Sequence, residues 1–343
     1  MTTVMERREE KQILKQPASG SQPGLWARVC ATAGAVAWAG VAVAARAGVA
    51  KIGAIELMFL FGPLVIVPLG MELGRRIAPE GWSGEIARWL QPLGAALASA
   101  SMCVGPGRMA GGLACGWLVV CGLMGGAGVI EFAAKWRTKS SNLWTDATLA
   151  IARVDLVVGA AWLVASRWGM RPMGIQEPIG LLTAVHFHFA GFATATIAAA
   201  TLGRGDGLRT NGWRRGLLVL VAGMPFVVAA GFVISPVLKM VAGIVFSASV
   251  AAVAIVLRGR GREAKHTTAR VLLQVAAVAV FAGMVLSSAY AVADYFGSDI
   301  LSIPEMARTH GVLNAVGFCM AGLLGWLVEW EGGPAFGGKN APQ

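Results

Sequence analysis

Ten apolar runs of bilayer-spanning length dominate the chain and leave room for little else. A helix needs about 20 mainly apolar residues to cross a bilayer. Such runs fall at roughly 27–45, 52–74, 86–104, 109–130, 147–166, 175–202, 216–236, 237–257, 269–293 and 306–328. The third is the weakest, because its exit at 105–108 (GPGR) is short. The seventh and eighth meet at Ser235-Pro236, which suggests a tight helical hairpin. With 56% hydrophobic and 14% charged residues, too little polar surface remains for a soluble globule, which carries roughly 25% charged residues. The expected fold is all-α, a polytopic membrane bundle of about ten transmembrane helices spanning 25–330.

The basic residues set the expected orientation. Of the 29 Lys and Arg, 21 fall in segments that are cytoplasmic if the N-terminus is inside, 7 fall in the opposite loops, and Arg153 lies within the fifth run. Basic residues favour cytoplasmic loops, so both termini are expected in the cytoplasm of a multi-pass cell-membrane protein. The net charge of +11 then reflects loop charge and gives no reason to expect nucleic acid. Residues 1–24 and 331–343 read as disordered cytoplasmic tails, and the first lacks the apolar core of a signal peptide. The five cysteines lie in or beside apolar runs, with no CxxC, and read as small buried hydrophobes. Glycines within the spans, such as Gly122, Gly125, Gly126 and Gly128, let helices approach closely.

Ionisable groups inside a bilayer are costly and therefore informative. They are Glu56, Asp155 with Arg153, His186, His188, Asp294 and His310. Glu72, Glu131, Glu177 and Glu329 lie near span ends and are expected to reach the interface. Arg153 and Asp155 are two residues apart, do not face each other, and are expected to serve structure. The remaining groups fall in the outer half of four helices, which points to one polar cavity opening on the extracytoplasmic side. Glu56, one of His186 and His188, Asp294 and His310 are expected to line it, at least three of them within about 10 Å for proton exchange. His186 and His188 are separated by about 200° on a helix. One ring therefore faces the cavity while the other bonds a neighbouring helix, and the pair alone makes no metal site. His310 and Asn314 are four apart and share a face, so the amide suits a role in fixing the ring's tautomer.

Two segments carry a resemblance. Leu182-Thr183-Ala184-Val185-His186-Phe187-His188-Phe189-Ala190-Gly191-Phe192 resembles the HFHxAGF signature of the YndJ-like bacterial membrane proteins. His310-Gly311-Val312-Leu313-Asn314-Ala315-Val316-Gly317-Phe318 is similar to their HGxLNxxGF segment, and Glu56 to a Glu early in their second span. A looser resemblance, in size and composition, is to the membrane-bound terpene cyclases of actinobacterial indole sesquiterpenoid pathways. It implies a buried carboxyl that starts cyclisation of a prenyl chain, with Glu56 or Asp294 in that place.

These residues allow an intramembrane enzyme in which Glu56 or Asp294 protonates a prenyl olefin or epoxide in a dry apolar pocket. His186, His188 or His310 would polarise the acid or take the last proton, with Asn314 holding His310. The substrate is then a lipophilic small molecule entering from lipid, with no cofactor and no metal. The alternative is a proton-coupled transporter or exporter using the same groups as a relay. A haem or metal protein with histidines converging from two helices lacks a supporting motif. Oligomeric state is left open.

Overall fold

The computed structural model describes residues 24–203, 211–298 and 302–331. The expected tails at 1–24 and 331–343 lie outside the described residues, apart from Gly24 and Glu331 at their edges. Ten long helices follow one another: α1 Leu25–Arg46, α2 Ala54–Ile77, α3 Trp82–Met102, α4 Arg108–Arg137, α5 Leu143–Trp168, α6 Ile179–Leu202, α7 Gly212–Ile234, α8 Pro236–Arg262, α9 Thr267–Tyr295 and α10 Ile303–Glu329. Among the described residues, nine are long and apolar enough to cross a membrane. The one left out is α3, the weakest span in the sequence, which carries Glu85, Arg88 and Gln91.

Side-chain contacts show that α3 still runs the full depth of the bundle. At its start, the Gly81 amide donates to Glu131 Oε1 of α4 at 2.7 Å. At its far end, the Arg167 guanidinium of α5 donates to the Ser101 carbonyl at 3.1 Å and to that of Val104 at 2.5 Å. Short links throughout make sequential helices antiparallel. One end of the bundle therefore gathers the starts of odd-numbered helices with the ends of even-numbered ones. The other end gathers the starts of even-numbered helices, Ser235 and Gly297.

The first end is locked by charge. Arg153, 7% exposed, pairs with Glu80 at 2.6 Å and with Glu131 at 2.7 Å. Its stem lies where a Cβ on Gly128 would come within 3.0 Å of Cδ, so the glycine lets α4 and α5 close over it. Glu72 is buried and holds Arg75 and Arg76 at 2.9 Å each, while Arg76 also donates to the Leu327 carbonyl of α10. Glu72 and Glu131 thus bind arginines within the bundle rather than reaching outward. Lys135 pairs with Asp146 at 2.7 Å, and Glu329 accepts from the Lys265 amide.

Three of the even-numbered helices depart from α geometry. Wider π turns occupy Gly62–Ile66 in α2, Phe187–Ala193 in α6, and Ala307–Gly311 and Leu313–Met320 in α10. These stretches pack on one another at the centre of the bundle. In α2 the cause is legible. Pro68 has no N–H to give, so carbonyls one turn back lose their partner. Gln91 of α3 donates to the Pro63 carbonyl at 2.7 Å; nearer the start of α2, beyond the reach of Pro68, the Trp38 indole of α1 donates to the Leu57 carbonyl at 2.7 Å. Gly34 of α1 packs directly on the Leu64 carbonyl, leaving no space for a Cβ. Backbone groups freed in lipid need such partners, which explains a buried glutamine in α3.

Candidate functional site

A cavity of about 550 Å³ lies between α2, α6, α7, α8, α9 and α10. It runs from Ile179 and Ile303, the first residues of α6 and α10, inward to Thr194, Val250 and Cys319. Its wall is mostly aliphatic and aromatic, and its polar groups fall into an inner and an outer set.

The inner set is His186, His310 and Asn314. His310 bonds the Gly283 carbonyl of α9 through Nδ1 at 2.9 Å. A carbonyl only accepts, so Nδ1 carries the proton and Nε2 is left with its lone pair. Asn314 donates to the His310 carbonyl at 2.7 Å. Its amide nitrogen is 3.2 Å from one ring nitrogen and 3.3 Å from the other, so it sits over the ring face. The carbonyl of Gly283 thus fixes the tautomer, and Asn314 holds the ring from above. Gly283 is required at this contact, because a Cβ there would come 2.8 Å from Asn314 Nδ2. His186 packs edge-on against Phe187 and Phe246, and its Nε2 is buried without a hydrogen-bond partner.

The outer set is Asp294, Lys239 and Tyr290. Lys239 Nζ lies 2.6 Å from Asp294 Oδ2 and 5.0 Å from the centre of the Phe232 ring. Asp294 is eleven residues beyond Gly283 on the continuous helix α9. At 1.5 Å per residue Asp294 lies about 16 Å beyond Gly283 along the helix axis, and Tyr290 about 10 Å beyond it. The cavity is therefore an elongated slot and not a cluster within 10 Å.

Two of the six expected site residues lie outside it. His188 is wholly buried and faces α4 and α5. Its Nε2 accepts from the Trp117 indole at 2.9 Å, and its Nδ1 donates to the Ala184 carbonyl at 2.7 Å. Trp117 stacks on the ring, Phe59 meets it edge-on, and Gly159 leaves space for it. Both nitrogens are used, so this histidine ties α6 to α4. Glu56 belongs to the first turn of α2, and its carboxylate folds back over Gly53 at the helix start, where the helix dipole favours an anion. Its neighbours Ile55 and Met58 line the cavity and it does not. Its charge acts instead on Arg167, together with that of Glu177.

The slot also holds groups beyond the expected site residues. Lys239 belongs by position to the loop charges, although a cation three residues into an apolar run is itself a signal. Thr183, Thr194, Ser287 and Cys319 complete the polar lining. Asp155 is fully buried against Gly191, with neither oxygen hydrogen-bonded inside the protein. Among the described residues, no three His, Cys, Asp or Glu side chains stand together as a metal site would require.

Comparison with known proteins places the chain. Residues 57–318, about three quarters of its length, match the family described as YndJ-like protein. The chain belongs to the YndJ-like family. The Uncharacterized membrane protein YndJ of Bacillus subtilis (strain 168) is 25% identical over 198 residues, which cover 57% of this chain and 35% of that protein. The chain thus matches about a third of its relative's length. No solved structure matches. Family membership and the nine apolar helices identify a multi-pass cell-membrane protein. The matched region includes His186, His188, Asp294, His310 and Asn314, and it begins one residue after Glu56.

Proposed function

We propose that this YndJ-like protein takes a lipophilic small molecule of prenyl or terpenoid type from the bilayer and isomerises or cyclises it by proton transfer. The observation behind this reading is the apolar slot of about 550 Å³ with His310 anchored in its wall. An apolar wall holds a hydrocarbon chain by burial alone. An imidazole fixed through Nδ1 presents Nε2 as a base whose position does not drift.

Of the two carboxyls expected to supply a proton, Glu56 stands outside the slot. Asp294 is paired with Lys239, about 16 Å along the helix axis from the His310 level. The histidines are then the groups that move the proton. Imidazole is too weak an acid for a simple alkene and too weak a base for an allylic C–H, but its protonated form can assist the opening of an epoxide and its neutral form can deprotonate the cation that results. His310 in its protonated form donates from Nε2 to the epoxide oxygen as the C–O bond breaks, and the neutral Nε2 then takes a proton from the carbon beside the cation, leaving a hydroxyl and a new double bond. Atoms and charge balance with no oxidant or cofactor.

The test is a reconstituted assay with prenyl alcohols and their epoxides. A product isomeric with the epoxide, carrying a new hydroxyl and a new double bond, is the expected result. His310→Gln should lower turnover about 10²–10⁴-fold, the usual range for one acid–base group. No conversion by the reconstituted protein would remove the enzyme reading. A second reading, proton-coupled transport of such a molecule, is favoured by a slot open at one end and an ion-paired end opposite it. Gradient-dependent movement of an unchanged prenyl alcohol across proteoliposomes, without product, would establish that reading instead.

A further inference from the structure

The outer end of the slot carries a second recognition element. Gly231 brings α7 against α8 so closely that a Cβ there would lie 2.5 Å from Lys239 Cα. This contact plants Lys239 at the cavity edge, facing Asp294 at 2.6 Å. The two side chains are 26% and 31% exposed, so they are accessible from outside the protein. Tyr290, one turn before Asp294, lines the same end. The pair has no net charge, offers donors on one side and acceptors on the other, and stands at the rim of an otherwise apolar slot.

We infer that Lys239 and Asp294 bind the uncharged hydroxyl head of a single-chain amphiphile, whose tail runs inward to His310 and His186. This rests on the reading of the slot as a site for a lipophilic molecule, and it names the molecule's class and direction. A hydroxyl accepts from Nζ and donates to Oδ, so it joins the pair without separating it. An anionic head competes with Asp294 for the ammonium and meets its repulsion, and a cationic head does the reverse with Lys239. Removing one partner of a charged hydrogen bond is costly because the other is left unsatisfied. The direction matches an amphiphile already in the bilayer, where heads lie at the surface and tails at depth. Lateral entry then needs no inversion, and the reacting part of the chain is its tail end, about 16 Å in.

The probes are farnesol, farnesoic acid and farnesylamine, each competing with a tritiated photoreactive farnesol for the full chain in nanodiscs. Head preference is compared between variants, so partition into lipid cancels. Wild type is expected to take the alcohol best. Asp294→Asn frees Lys239 and should shift the acid-to-alcohol ratio about tenfold toward the acid, as one charged hydrogen bond implies. Lys239→Met should shift the amine-to-alcohol ratio about tenfold the other way. The exchange of both, K239D with D294K, should restore preference for the alcohol and shows that the variants fold. Wild type preferring the acid or the amine, or unchanged ratios in both single variants, overturns the assignment of the head. Photolabelling that none of the three displaces overturns the lipophilic slot itself, and the head assignment with it.

Discussion

The two ends of the bundle solve opposite problems with the same residue types. At one end, Arg153, Glu80 and Glu72 are drawn inside and paired, with Glu131, Arg75 and Arg76 as their partners. At the other, Lys239 and Asp294 form an ion pair on the rim of a slot, partly exposed. A buried pair is expensive to break, because the survivor stays in a dry site. An exposed pair contributes little to stability and is free to exchange partners. One end therefore holds the helices together, and the other is available for a ligand.

Breaking the locked end should have the largest effect. Arg153→Leu leaves two buried carboxylates facing each other and should cost about 3–5 kcal/mol, read as loss of folded protein in detergent thermal melts. A melt unchanged from wild type would show that the network is ornamental. Deeper in the bundle, the Trp117–His188 contact ties α4 to α6. His188→Leu leaves the buried indole N–H without an acceptor and should cost about 1–3 kcal/mol, while its effect on turnover should not exceed that of unfolding. Turnover lost in a stably folded His188→Leu variant would move this histidine into the site. At the open end, Lys239→Met should change stability by about 1 kcal/mol or less, measured by the same melts. A large loss there would erase the contrast between the ends.

The smallest effect is a pH slope confined to the locked end. Glu80 lies in the loop between α2 and α3, and burial raises its carboxyl above the ordinary value of 4.5, with Arg153 opposing the shift. The folded state therefore holds this proton more tightly than the unfolded chain does. Stability from this group is full below the unfolded value and is lost as pH rises through the folded one. Wild type should lose stability relative to Glu80→Gln as pH is raised from 4.5 upward. A difference of the opposite sign would mean that Arg153 dominates the site.

Much of this architecture is written in the sequence at the level of period and spacing. Apolar runs of the right length mark the helices, and even the doubtful third run is a full-depth helix. The HFH and HGxLN segments mark the helices that meet at the centre. The facing of individual side chains is less legible, because the π turns in α2, α6 and α10 alter the residues-per-turn count on which face assignments depend. Glu56 illustrates this: its depth follows from counting, but its direction is set by the first turn of α2 and the Gly53 contact. His188 illustrates another limit, since an indole from α4, 71 residues away, satisfies it. Asp294 is legible as a carboxyl near a span end, but its partner Lys239 stands in the sequence among the loop charges.

The hand-over at the Pro63 carbonyl bears on how such a chain is made. Helix α2 is strongly apolar, yet carries a backbone group that its own residues leave unsatisfied. Helix α3 is more polar than the other spans, and its buried glutamine, Gln91, supplies the missing donor. Each is deficient as an isolated segment in lipid, and each corrects the other's deficit. The unit that is stable on leaving the translocon is therefore the α2–α3 hairpin rather than either helix. A ribosome that has delivered α2 alone has delivered half of an insertion step.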